Sequence, residues 1–362
     1  MIKSGRFADK KILLIDKEPK TKNDRTWCFW EKKDGFFDAI VYKKWDKLSF
    51  LSDEYSDILK ISPYQYKMIR GIDFYNYCFS EIAKHSNIDI IYGNVRSAKR
   101  DRDGLIIDLQ DRTLYLDFAT VFNSFFTTDI NKIQGSSKDI SLLQHFKGWI
   151  IETPEASFDP AVATFMDFRV DQKRGTTFAY VLPFSKTRAL VEYTLFTKEV
   201  LENEVYENEL SSYIKDLLKI SEYNIIEEEF GVIPMTTKKF DFYNKHVYHI
   251  GMIGGQTKAS TGYTFHFIQK QAEVITDYLI RDKAIFEIPQ TPNRFRFYDK
   301  VLLDVLNKKR VQGKQVFTTL FKKNEPQQVL KFLDNETSLT EELKIISTLP
   351  TIPFLKAAIN QF

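Results

Sequence analysis

The amino-acid sequence predicts an α/β fold: a discontinuous, Rossmann-like parallel-sheet unit, a β-rich antiparallel region inserted in it, and a helical C-terminal region. Three observations carry this. The run KKILLID (10–16) is an apolar strand that ends in an acid. Four aromatic-rich segments between 148 and 196 (WIIET, ATFMDFRV, TTFAYVLPF, ALVEYTLF) read as long antiparallel strands. Residues 264–362 have helical periodicity broken near Pro289, Pro292, Gly313, Pro326, Pro350 and Pro353. At 362 residues the chain exceeds one ordinary core, and 43% hydrophobic with 28% charged residues is the balance of a folded globular protein.

Residues 1–7 look like a helix end with Gly5 at its C-cap, and 10–16 read as the buried parallel strand that follows. In a dinucleotide-binding βαβ unit a strand and a G-x-G-x-x-G turn precede that helix, and an acid about 20 residues on closes the second strand on ribose hydroxyls. Asp16 stands where that acid belongs. Gly5 is the only glycine before Gly35, so the phosphate-cradling loop is expected upstream of Met1. The polar turn Asn23, Asp24, Arg25 leads into Trp27, Phe29 and Trp30; residues 40–61 alternate as strands, and 73–82 carry Phe74, Tyr77, Cys78 and Ile82 at helical spacing. Residues 88–126 read as a strand and a meander, with Asp101, Asp103 and Gly104 in a hairpin turn. A helix, a strand and a three-stranded excursion is the order of glutathione-reductase-like flavoproteins, though other α/β folds allow it. The segment 198–220 is helical, 225–236 returns to strand, and HVYHIG (246–251) runs into a glycine cluster. The units are therefore 1–85 with 235–285, the meander 88–126, the antiparallel region 145–234, and the helices 286–362.

Composition excludes several classes. Fifty-two Lys and Arg against 49 Asp and Glu leave +3, so no overall field attracts nucleic acid. Cys28 and Cys78 are the only cysteines, which excludes a disulfide framework and any four-cysteine zinc site, and redox chemistry needs a borrowed cofactor. His246 and His249 fall on opposite faces of a strand, so no metal site is expected. No apolar run approaches the roughly 20 residues that span a bilayer. The 31 Phe and 18 Tyr are either a compositional bias or the lining of a cavity for a long apolar ligand.

Two segments could hold chemistry. In HIGMIGGQTKASTGYTF, Gly251, Gly254 and Gly255 and a helix starting near Thr261, capped by Ser260 or Thr261, make either an anion-holding loop or a tight strand-to-helix turn. Glu192 is the one charge in ALVEYTLF, and a period of two puts Leu190, Glu192, Thr194 and Phe196 on one face. A half-buried carboxyl there has a raised pKa and suits a general acid; on an exposed face it is only solvated. The same two readings apply to Asp167, with Arg169 nearby, and to Glu228 and Glu229.

Together NDRTWCFWE (23–31), FMDFR (165–169), YVLPFSKTRALVEYT (180–194), EEFGVIPMT (228–236) and GGQTKASTGYTF (254–265) resemble the lycopene cyclase family of carotenoid biosynthesis, in order and over almost the whole chain, with bacterial β-cyclases the nearest match. The sequence departs from that family at the N-terminus, where members carry a strand and a glycine-rich FAD loop. A start placed about one βα unit too late, or a truncated product, is the expectation.

The resemblance implies a redox-neutral isomerisation. Each ψ-end of lycopene is protonated, the ring closes, and proton loss leaves a β-ionone ring. It implies reduced FAD with NAD(P)H as electron source, Glu192 as the essential acid, Asp16 on the FAD ribose, Arg25 at the pyrophosphate, and Gly254, Gly255, Thr261 and Gly262 along the flavin. Asp167, Glu229 and Tyr263 are candidates for the substrate pocket. A water-insoluble polyene implies a cytoplasmic enzyme at the inner membrane face, touching it through RFRFYDKVLLDVLNKKR or LPTIPFLKAAINQF, although these helices could simply cover the flavin unit. The alternatives are a flavin-dependent hydroxylase or isoprenoid reductase of the same fold, and a non-catalytic polyene-binding remnant.

Overall fold

A computed structural model describes residues 1–101, 104–117, 120–124, 139–244 and 247–361. The chain opens with one 3-10 turn, Ile2–Ser4, closed by Gly5, where a longer helix end was expected. Next come β1 (Ile12–Asp16), β2 (Thr26–Glu31), β3 (Lys43–Trp45), β4 (Lys47–Leu51), β5 (Ser56–Lys60) and β6 (Gln65–Arg70). The last runs straight into α1 (Gly71–Ile82), whose first turn holds Asp73 against the guanidinium of Arg70 at 2.6 Å. β7 (Ile88–Tyr92) precedes the meander β8 (Val95–Asp101), β9 (Gly104–Leu109) and β10 (Thr113–Asp117); its expected turn residue Asp103 lies outside the described residues. After β11 (Val121–Asn123) the long strands follow: β12 (Ser141–Glu152), β13 (Val162–Asp167), β14 (Thr176–Pro183) and β15 (Arg188–Thr197). α2 (Asn203–Ser212) ends in a π turn and leads to β16 (Asn224–Thr236), β17 (Tyr243–Asn244) and β18 (Val247–His249). The C-terminal part is α3 (Phe265–Ile280), α4 (Asn293–Asn307), α5 (Gly313–Lys323), α6 (Pro326–Leu333), α7 (Leu339–Ser347) and α8 (Thr351–Ile359). Pro353 does not break α8, because it sits in the first turn, where a missing N–H costs no helical bond.

β1 pairs in parallel with β7, and β11 in parallel with β18. Ile15, Ile91 and Val121 all rest on the meander residues Leu105, Ile107 and Leu109, so the same small sheet backs both parallel pairs. Leu105, Ile107 and Leu109 point inward because they alternate at period two. The expectation that the run 10–16 is buried is corrected: among the described residues β1 pairs with β7 alone, and Leu14 is 40% exposed.

The seven-stranded sheet has the order β16-β12-β15-β14-β13-β4-β5, with β4 and β13 parallel and the other neighbours antiparallel. It therefore takes two strands from the segment that sequence patterning placed in 1–85. Alternation divides the sheet into two apolar faces. Phe165, Phe178, Tyr180, Leu182, Leu190 and Phe196 point to one core, closed by Phe317, Leu320 and Phe321 of α5. Val181, Val191, Tyr193 and Leu195 point to the other, covered by Tyr206 and Leu210 of α2 and by Tyr213 and Ile214. Being buried on both sides, all eight residues of β14 are inaccessible, and truncating an aromatic such as Phe178 to Ala costs about 3–5 kcal/mol.

His145 on the α2 side is fully buried between Tyr206 Oη at 2.5 Å and Thr197 Oγ1 at 2.6 Å, and burial lowers its pKa to about 4. The folded state binds this proton more weakly than the unfolded chain. Its contribution to stability is present above pH 6.5 and lost as pH falls through about 4. Denaturant midpoints should decline over that interval, and His145→Gln should flatten the decline by one proton.

Candidate active site

The site begins with a residue that has no side chain. Gly148 on β12 stands opposite Glu192 of β15 on one side and Glu229 of β16 on the other. All three lie on the sheet face of Leu190 and Phe196, so the two carboxyl groups converge over the gap the glycine leaves. A Cβ at 148 would come within 3.0 Å of Glu229 Cγ and 2.9 Å of Leu190 Cδ1. Thr194 Oγ1 donates to Glu192 Oε1 at 2.6 Å, and Thr26 Oγ1 of β2 donates to Glu229 Oε2 at 2.7 Å. Glu229 Oε1 is buried with no donor among the described residues. Both carboxyls have raised pKa values: Glu192 far above the usual range, by desolvation first and the charge of Glu229 second, and Glu229 by desolvation.

Aromatic and neutral polar groups wall this pair. Tyr180 is the cross-strand neighbour of Glu192, and its hydroxyl lies 3.5 Å from that of Tyr263. Tyr263 meets Trp30 edge-on at 4.7 Å. Burial pushes up the phenols of Tyr66, Tyr180 and Tyr263 and the thiol of Cys28, so these groups stay neutral and leave the carboxyls as the local proton carriers. Gly148, Thr26, Cys28, Tyr66 and Tyr180 were not singled out from the sequence. Two signals were present there: a lone glycine inside a strand run, which marks a close approach, and Tyr180 at period two with Phe178 and Leu182.

The segment 254–263 reaches the same wall through Tyr263. The amides of Thr261 and Gly262 both donate to the Lys258 carbonyl, at 3.2 and 2.8 Å, forming a tight turn. Gly262 has φ +73°, and a side chain there would overlap Gln144 Oε1, itself a buried acceptor with no donor among the described residues. The expected helix start at Thr261 is corrected: the left-handed Gly262 cannot continue a right-handed helix, and α3 begins at Phe265 with Thr264 as N-cap in place of Ser260 or Thr261. Gly255 has φ +77°, and a Cβ on Gly254 would overlap the His249 carbonyl. Lys258 Nζ, held by Asp299 at 2.9 Å and Asn335 at 2.7 Å, ties the turn to the C-terminal helices.

Asp16 and Arg25 form a second neighbourhood. Asp16, at the end of β1, pairs with Lys20 at 3.0 Å, and exposed Arg25 pairs with Asp24 at 3.3 Å. Both act on the phenol of Tyr75, which donates to Asp24 at 2.8 Å. Asp167 is not brought to the carboxyl pair. It is fully buried on the α2 face, held by Arg169 at 2.6 Å and by the Tyr213 hydroxyl at 2.9 Å. Of the histidine pair, His246 lies outside the described residues. His266, Asp334 and Glu336 each bring one potential ligand atom within 4.8 Å of the others, but Lys270 Nζ sits 2.7 Å from Glu336, so a cation already occupies that charge.

The fold is shared with solved structures of low sequence identity. It matches, at a TM-score of 0.61 and 13% identity, a geranylgeranyl bacteriochlorophyll reductase-like protein from Thermoplasma acidophilum over 99% of this chain and 96% of that one. A flavin-dependent brominase matches at 0.55 and 10% identity over 98% and 92%. A p-nitrophenol 4-monooxygenase from Pseudomonas putida matches at 0.54 and 14% identity over 98% and 93%. At such identities the likeness is one of fold, and the fold is one that a flavin-dependent brominase uses. No curated protein sequence matches the chain. The lycopene cyclase protein model matches residues 5–359, and the chain belongs to the lycopene cyclase family.

Proposed function

We propose that the protein is a lycopene β-cyclase in which Glu192 supplies the proton that starts ring closure. The observation that supports this most is a carboxyl with a strongly raised pKa set between Tyr180, Tyr263 and Thr194 on an aromatic wall. Adding its proton to the terminal double bond of a ψ-end makes a tertiary cation. The internal double bond closes the six-membered ring, and loss of a ring proton restores an alkene, so no electrons are gained or lost. Tyr180, Tyr263 and Trp30 exclude water and offer π faces and hydroxyl dipoles to the passing positive charge. Asp16 and Arg25 are the residues that would hold the ribose and pyrophosphate of FAD. The orphaned Gln144 Oε1 beside the bare backbone of Gly262 fits a flavin edge that donates a hydrogen bond. When bound and reduced by NAD(P)H, the flavin would supply negative charge beside the cation.

Pigment analysis in lycopene-producing cells tests the reading. Accumulation of a cyclised isomer of unchanged mass is expected. A product differing by two hydrogens or by an oxygen would overturn it in favour of a flavin-dependent reductase or hydroxylase.

The proposed membrane contact is the outer face of α7 and α8. No helix among the described residues is long and apolar enough to cross a membrane. Leu343, Ile352, Leu355 and Ile359 are nevertheless 58–67% exposed, and residues 343–361 contain Lys344 and Lys356 but no acid. An apolar ridge with a lysine fringe suits an anionic lipid surface. Sedimentation with anionic but not zwitterionic vesicles is expected, and a combined Leu343→Ser, Ile352→Ser, Leu355→Ser variant should lose it. Self-association through this face, without vesicle binding, would overturn the assignment.

A further inference from the structure

We propose that Glu192 and Glu229 hold one proton between them across Gly148, and that Glu229 is the positioning residue that keeps this proton on Glu192 until substrate takes it. The inference rests on the cyclase reading for its kinetic arm alone.

Donors and acceptors at the pair account for a single proton. Thr194 satisfies Glu192 Oε1 and Thr26 satisfies Glu229 Oε2. Glu229 Oε1 is left buried without a donor, and Glu192 can provide one through its second oxygen if it carries the proton. With no proton, two anions would face each other over the glycine gap in a poorly solvated place. With two, the second acidic hydrogen would have to point at a threonine hydroxyl, turning one of these two contacts around and taking from a carboxyl oxygen the hydrogen bond it now receives. Among the described residues, the other groups facing the pair supply no compensating cation: Cys28 on β2, Tyr180 on β14 and Tyr263 are held neutral, and Glu227 on β16 adds negative charge. Lys147 of β12 is committed on the opposite face to Glu207 at 2.6 Å and Glu228 at 2.9 Å. Arg188 reaches Glu227, at 3.6 Å.

The proton balance closes. Glu192 O–H breaks as the new C–H bond forms at the substrate terminus, leaving two carboxylates beside one carbocation. The ring C–H then breaks, its electron pair becomes the ring double bond, and the proton returns to the pair.

The competing explanation is that burial alone keeps Glu192 protonated, with Glu229 merely structural. Glu229→Gln separates the two, because the amide keeps an acceptor for Thr26, removes the like charge and can donate to a Glu192 carboxylate. Infrared titration of the purified full-length protein should show, above the pH at which Asp334 (raised by burial to about 7) loses its proton, a protonated-carboxyl band that is absent in Glu192→Gln and that titrates at lower pH in Glu229→Gln. The alkaline limb of the cyclisation profile should move down by about one pH unit or more in Glu229→Gln, and Glu229→Asp should restore it in part. A band and limb unchanged in Glu229→Gln would overturn the shared proton. Should that variant not fold, Thr26→Val serves, since losing a donor to Glu229 should move the band's titration and the limb upward, and no movement overturns the proposal. A wild type that shows the one-proton band yet makes no cyclic product would sink the cyclase reading while leaving the pair intact.

Discussion

Glu192→Gln is expected to lower β-carotene formation by about 10²–10⁴-fold, the range that a positioned general acid contributes, while leaving a folded protein. The amide is nearly isosteric and can still accept the Thr194 hydroxyl, so the packing of β15 survives. The same change should alter stability with a definite sign. The pKa of Glu192 is higher folded than unfolded, so its contribution is fullest below about pH 4.5 and is lost as pH rises through the folded value. Removing the titrating group removes that loss. Denaturant midpoints of the variant should exceed those of the parent at alkaline pH and converge with them in acid, as expected where a functional site is held at a cost to stability. Full pigment formation by the variant would dismiss Glu192 as the acid; midpoints that move in parallel at all pH values would mean that its proton is not unusually held.

How much of this was legible depended on range. The face shared by Leu190, Glu192, Thr194 and Phe196 follows from alternation within one strand, and the structure has it so, turned toward the aromatic core. Glu229 as the partner of Glu192 was not legible, because only the pairing of β12 with both β15 and β16 brings them together, and that register is set by distant contacts. Asp167 went astray for a local reason. Simple alternation would put it beside Phe165, but the register shift between Thr164 and Asp167 inserts a bulge, and the carboxylate emerges on the α2 face with Tyr213. The helix start at Thr261 failed because glycine in a sequence does not declare its φ. The β1 strand was read correctly as parallel, while its half-exposed state depends on neighbours that a sequence window cannot see.

Gly148→Val carries the second large effect, because it fills the gap on which the carboxyl pair depends. Even Ala would place its Cβ 2.9 Å from Leu190 Cδ1 and 3.0 and 3.2 Å from Glu229 Cγ and Oε1. Relief of glycine's conformational entropy in a strand returns roughly 0.5–1 kcal/mol, whereas overpacking a rigid core costs about 1–3 kcal/mol, so the net sign is destabilising and Val should reach the upper end. Leu190 is almost fully buried and cannot swing away, which leaves the Glu229 side chain as the part that yields. Product formation should therefore fall by at least about tenfold, and the alkaline limb of the pH profile should move as in Glu229→Gln. The double variant Gly148→Ala, Leu190→Ala separates crowding from chemistry. Leu190→Ala alone opens a core cavity at about 2–5 kcal/mol. In the double variant the new methyl enters that space, so the combined loss of stability should be smaller than the sum of the two single losses. The methyl still stands between Glu192 and Glu229, and activity should stay as low as in Gly148→Ala. Activity restored to the level of Leu190→Ala alone would mean that Gly148 serves packing alone.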